Sequence, residues 1–172
     1  MAELLRFTTE YSPVEDRIRL IGEDQFGQKL ALWLNLRMCQ LLLSPLLTWL
    51  CSSGTRRPVK MPEGFDYGQH FEQVAASSSV PQQPPVLADP GGQEWLAVSV
   101  DFATGEAGVR LTFKPIDGAC ECAITFDRHT FRQWLGIVYS LYQTAEWPLD
   151  KWPKWMEDTL PGIQSTSGYV VN

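Results

Sequence analysis

The strongest constraint on this chain is an apparent internal duplication. Leu5, Phe7, Thr9 and Tyr11 alternate along one early segment, and Leu96, Val98, Val100 and Phe102 alternate along a later one, 91 residues downstream. Ile18 and Leu20 meet Val109 and Leu111 at the same offset. After one extra residue in the following turn, Leu30, Leu32 and Leu34 correspond to Cys122, Ile124 and Phe126. Period-two alternation marks half-buried strands, and self-similarity at a fixed spacing dictates architecture before any single motif does.

Each set of three strands runs into a helical pattern. Asn35 and Asp127 stand where N-caps belong, because their side-chain oxygens can accept from the unbonded amides of a first turn. After Asn35, Cys39, Leu42, Leu43, Leu46 and Leu50 form one apolar stripe, with Leu47 beside it. Phe131, Trp134, Leu135, Val138 and Tyr142 form the other. Pro45 inside the first run predicts a kink near Leu41, or a helix that stops and restarts, because proline removes a backbone donor and clashes one turn back. Gly54 supplies an end signal. The expected fold is α+β: two tandem β-β-β-α repeats, antiparallel sheet with one helix per repeat packed on one face, related by a pseudo-two-fold.

The organisation read from the chain is a first repeat over 1–53, a linker over 54–93, a second repeat over 94–147 and a Trp-rich segment with tail over 148–172. The two repeats are expected to pack as one compact domain. Ser, Pro and Gln accumulate over 77–85, which is linker composition, and 65–76 has the pattern of a short helix. Within the second repeat, 95–102, 109–114 and 120–126 read as the three strands.

The net charge of -6 speaks against a generally basic nucleic-acid binder but leaves room for a local patch. Four cysteines, two in an apolar helix and two on a strand, suggest reduced buried thiols and a cytoplasmic setting. The N-terminus lacks the basic-then-apolar pattern of a secretory signal. The run from Leu41 to Leu50 is too short to span a bilayer, so no membrane partner is expected.

On the face of the first sheet turned away from its helix, alternation places Arg6, Thr8, Arg17, Arg19, Lys29, Ala31 and Trp33. The candidate binding set is Arg6, Arg17, Arg19, Lys29 and Trp33: four cations to track phosphates and an indole to stack a base. The ordinary alternative is a solvated polar face, partly neutralised by Glu10, Glu15 and Asp16. The corresponding face of the second sheet would carry Ala97, Ser99, Asp101, Arg110, Thr112, Lys114, Glu121, Ala123 and Thr125. Trp147, Trp152 and Trp155, close to two prolines, are candidate partner-docking residues, since large aromatics concentrate at interface hot spots. They equally suit sealing the edge of a small core.

Catalytic chemistry has little footing. Cys120 and Cys122 offer two ligands, but His70 and His129 lie at no usual ligand spacing, so no metal or cofactor is expected. No nucleophile elbow, metalloprotease motif or glycine-rich phosphate loop is present. In topology the paired units resemble the Whirly and Pur-type nucleic-acid-binding folds, each unit being one strand short of theirs and without a shared sequence motif. The expectation is therefore a non-catalytic protein-binding or assembly module, with a protein partner or self-association. The alternative is single-stranded nucleic-acid binding through the basic face.

Overall fold

The computed structural model describes residues 1–52, 66–81, 83–157 and 169–171, the last three by their backbone. Gly54, the part of the linker at 54–65 and, of the tail, residues 158–168 and 172 lie outside the described residues. The first strands are β1 (Ala2–Ser12), β2 (Arg17–Asp24) and β3 (Lys29–Leu34), followed by α1 (Leu36–Ser52) and α2 (Tyr67–Ser78). Then come β4 (Gln93–Leu96), β5 (Ser99–Thr104), β6 (Val109–Lys114) and β7 (Cys122–Phe126), α3 (Arg128–Thr144), a 3-10 turn at Lys154–Met156, and β8 (Tyr169–Val171).

The class is α+β. β1-β2-β3 and β5-β6-β7 are antiparallel meanders. The sheet that joins them is mixed, which corrects the antiparallel expectation. Its order is β4-β3-β2-β1-β7-β6-β5, with β1 parallel to β7 at Ala2 and Glu3 only, and β3 parallel to β4. β8 adds antiparallel to β1 at Phe7–Thr9, beyond the point where β7 has diverged.

The stretch read from sequence as one strand over 95–102 serves two partners. β4 lies on β3 at one end of the sheet and β5 lies on β6 at the other. Only Ala97 and Val98 separate them. Ala97 N–H donates to Trp33 O and Val98 N–H donates to Lys114 O, both at 3.0 Å. Two consecutive amides thus tie opposite ends of the sheet, which curls on itself through this bent segment. The bend turns Ala97, expected on the outer face, into the buried core. Ala123, also expected outside, is buried opposite Glu3 on the short parallel pairing.

One large core fills the concave side. Ile18, Leu20, Leu32 and Leu34 come from the first meander, Val109, Leu111, Phe113, Ile124 and Phe126 from the second. α1 contributes Cys39, Leu42, Leu43, Leu46 and Leu50, as its stripe predicts, and runs unbroken through Pro45. β1 carries a bulge between Leu4 and Arg6, so Leu4 enters the core and Leu5 faces out. On β2, Gly22, the partner of Phe7, leaves the space that Leu4 occupies: a Cβ there would sit 2.5 Å from Leu4 Cδ1.

α3 is buried almost all round. Besides its apolar stripe it buries Arg132 and Gln133, because α2 covers the remaining side. Gln73 Nε2 donates to Arg132 O at 2.8 Å, and Gln133 Nε2 to Ser79 O at 3.0 Å. The Arg132 guanidinium pairs with Glu72 at 2.6 Å, donates to Gln69 Oε1 and lies 5.8 Å from the Trp155 ring centre. Burial pushes its pKa down, and Glu72 works in the opposite direction.

Both expected caps are in place. Asn35 Oδ1 accepts from Met38 N–H at 2.9 Å, and Asp127 Oδ1 accepts from Thr130 N–H at 2.7 Å. The Thr130 amide bond, the largest cause, holds the Asp127 carboxyl below its ordinary value. A carboxylate with a depressed folded pKa gives stability that is complete above its unfolded value of about 3.9 and is lost as pH falls through the folded value. Asp127→Ala should cost about 0.5–2 kcal/mol at pH 7 in urea unfolding. The gap between the two proteins should narrow below about pH 4. A gap that widens in acid would contradict the cap.

Candidate interaction surface

The convex face of the first meander has the register that alternation predicts. Arg6, Glu23 and Lys29 lie in one row across the strands, Thr8, Ile21, Ala31 and Glu94 in the next, and Glu10, Arg19, Trp33 and Leu96 in a third. Arg17 stands opposite Ser12 at the margin. The sheet therefore brings all five candidate binding residues to one face.

Every cation there meets a carboxylate. Arg6 pairs with Glu23 at 3.4 Å, Arg17 with Glu15 at 3.7 Å and Lys29 with Asp89 at 3.0 Å. Arg19 pairs with Glu94 at 2.9 Å and Glu10 at 3.6 Å, and its guanidinium lies 5.2 Å from the Trp33 ring centre. Four cations thus face five carboxylates, which leaves the local charge slightly negative.

A segment of the former linker also crosses this face. Val86 is buried against Ile21 and Ala31, with Ala88 packed beside them, in a small second core. Its N–H donates to Thr8 Oγ1 at 2.7 Å, and Arg6 donates to Pro84 O. The sequence reading missed this strap because Val86 and Ala88 sit in linker-like composition. The unpaired signal was Ile21, an aliphatic residue on a face otherwise read as polar. Between the strap and the sheet lies a groove of about 300 Å³, bordered by Arg19, Lys29, Asp89, Gly91 and Glu94.

The second surface is the outer edge of β5. Gly105 N–H donates to Gly108 O at 2.9 Å across the β5–β6 turn. Alternation along an antiparallel ladder then turns the main-chain groups of Ala103, Asp101 and Ser99 toward their β6 partners Arg110, Thr112 and Lys114. Those of Val100, Phe102 and Thr104 point outward. No strand among the described residues pairs with that side. Phe102 is 46% exposed and Val98 44%, although both were expected to be core positions of the second sheet. Asp101 is held by Lys114 at 2.6 Å, a hydrogen bond that raises the lysine pKa.

Natural sheets blunt their edges with lysine, proline, bulges or short strands. β4 at the other end follows that rule, with four residues that include Glu94. β5 has six residues, Ser-Val-Asp-Phe-Ala-Thr, without lysine or proline.

Trp147, Trp152 and Trp155 are all buried in this chain's own core, so the structure places them as internal packing. Trp147 packs edge-on to Tyr11 and Tyr142 and donates to Asp16 Oδ1 at 2.8 Å. Trp152 packs edge-on to Tyr139 and Tyr142. These rings seal the C-terminal end of α3.

The cysteines are all free. Burial pushes the Cys39 and Cys122 thiols up to about 12, so both stay protonated near neutrality. His70 Nδ1 lies 2.9 Å from Trp155 O, and His129 Nε2 3.0 Å from Ser79 Oγ, so both histidines serve packing contacts. Among the described residues no group of three or more His, Cys, Asp or Glu is placed to hold a metal. Nor, among them, is any helix long and apolar enough to cross a membrane. Comparison with protein-family models, curated proteins and solved structures returned no match.

Proposed function

We propose that the protein is a non-catalytic binding or assembly module whose working surface is the outer edge of β5. The observation that carries this reading is a six-residue edge with which no strand among the described residues pairs, preceded by half-exposed Val98 and holding half-exposed Phe102. Such an edge offers main-chain donors and acceptors at strand spacing, with an apolar side chain beside them to select a partner. The four free thiols favour a reducing, cytoplasmic setting. The two βββα segments are best read as equivalent units around a pseudo-two-fold. Their common strand-and-helix order and the caps at Asn35 and Asp127 support that equivalence.

Single-stranded nucleic-acid binding at Arg6, Arg17, Arg19, Lys29 and Trp33 is the weaker reading. Phosphates would have to displace carboxylates already in contact with each cation, and the strap occupies part of the face. A photo-crosslinking residue placed at Phe102 tests the proposal in living cells. Adducts at 102 that are missing when the same group replaces Ile116, an exposed residue in the β6–β7 turn, are the expected result. Equal or no adducts at the two positions would overturn it.

A further inference from the structure

We infer that the occupant of the β5 edge is the β5 edge of a second copy of this chain, paired antiparallel about a two-fold axis at Phe102. The inference rests on the reading of β5 as the working surface and adds the partner and the register.

The register follows from three constraints. Outward hydrogen-bonding groups belong to Val100, Phe102 and Thr104, so only these can form hydrogen-bonded pairs with a new strand. An axis at Asp101 would satisfy them but would place Asp101 against Asp101 of the second copy in the close, non-hydrogen-bonded position, where like charges repel. An axis at Ala103 avoids this but sets Phe102 against Thr104, whereas an axis at Phe102 avoids it and sets one half-exposed ring against the other. Phe102 then meets Phe102 of the second copy, Val100 meets Thr104, and Asp101 meets Ala103 while keeping Lys114 within its own chain.

The chemistry is self-complementary in the same register. A two-fold perpendicular to a sheet keeps each face on its own side, so the two phenylalanines come together and cover each other. Aromatic pairs across strands are among the favourable cross-strand contacts. Each Asp101 carboxylate keeps its contact with Lys114, an ammonium it shares with Glu121 at 3.8 Å, and in this register it faces Ala103 rather than a second carboxylate. The product is one continuous sheet through both copies, an isologous arrangement in which the same patch serves each partner. Two six-residue edges are small beside the roughly 1,200–2,000 Å² of a standard stable interface, so the dimer is concentration-dependent.

Sedimentation velocity of the purified full chain across about a hundredfold range of concentration, centred on the micromolar values expected of small interfaces, tests the inference. The expected result is a monomer–dimer shift in the wild type, its loss in Phe102→Lys and in Phe102→Glu, and its return when these two variants are mixed. Both substitutions lie at a half-exposed edge, and matching thermal unfolding curves check that the fold is retained. A wild type that stays monomeric throughout overturns self-pairing. A dimer that persists in both variants overturns the register. The crosslinking outcome then separates the two proposals: adducts at 102 of twice the chain mass accompany self-pairing. Adducts of any other mass keep the edge as a binding surface for a different partner, and their absence ends both readings.

Discussion

Phe126→Ala should destabilise the protein by about 3–5 kcal/mol, the range for deleting a large buried aromatic side chain. Phe126 is the meeting point of three elements. Its ring packs edge-on to Phe7 of β1 at 5.6 Å and to Phe131 of α3 at 5.7 Å, and lies tilted against Trp134 of α3 at 5.2 Å. Trp134 is itself pinned, donating from Nε1 to Thr9 Oγ1 at 3.1 Å. Neighbours fixed this way cannot collapse into the vacated space, which places the cost toward the upper part of the range. Phe71→Ala on the exposed side of α2 is the matched control and should shift stability by no more than about 0.5 kcal/mol. Urea unfolding of both variants provides the comparison. A loss below about 1 kcal/mol for Phe126→Ala would show that the cluster is not packed as described.

Gly108→Ala should be nearly as damaging, at about 3 kcal/mol or more, for a steric reason. A Cβ at this position would lie 2.1 Å from Phe126 O and 3.1 Å from its carbonyl carbon. These are backbone atoms at the junction of β7 and α3, so no side-chain rotation relieves the clash. The β5–β6 turn would have to separate from β7. Gly105, three residues away in the same turn, has its nearest such atom at 4.0 Å, so Gly105→Ala tests the same chain reversal without the collision. Thermal unfolding should rank Gly108→Ala far below Gly105→Ala. Similar midpoints would mean that the turn does not press against β7.

The difference between what sequence carries and what only packing reveals is concrete in this chain. Local periodicity was enough to place the meanders, the two capped helices and the shared convex face of Arg6, Arg19, Lys29 and Trp33. Each of those depends on neighbours within a few residues. Periodicity failed where one residue's partner was decided by distant chain. Leu96 to Phe102 alternates as an unbroken strand, yet its two ends have different neighbours, and nothing local marks the bend at Ala97. Leu5 fits the apolar phase of β1, but the bulge gives its place to Leu4, whose fit depends on Gly22 across the ladder.

The candidate surfaces divide along the same line. Charge composition revealed the cations of the basic face, while their pairing with Glu94 and Asp89 required a strand and a strap from sixty or more residues away. The tryptophans were visible as a cluster. Their burial depended on Tyr11, Tyr139 and Tyr142 closing around them, contacts that no spacing rule encodes. Phe102 looked like core in a period-two pattern and is half-open because β5 ends the sheet.

The bend at Ala97 and Val98 gives the two meanders a common reading frame. Because side chains alternate along a strand, a single-residue insertion between these positions would send every later residue of β5 to the opposite face while leaving β4 in register. Val100 and Phe102 would exchange sides with Ser99 and Asp101, and Val100 would lose its place against the core without a single change inside β6 or β7. A two-residue insertion would preserve the faces but slacken the tie between Trp33 and Lys114. The pair of peptide groups at the bend therefore acts as a phase lock, and sequence change in either meander is constrained by the alignment of the other.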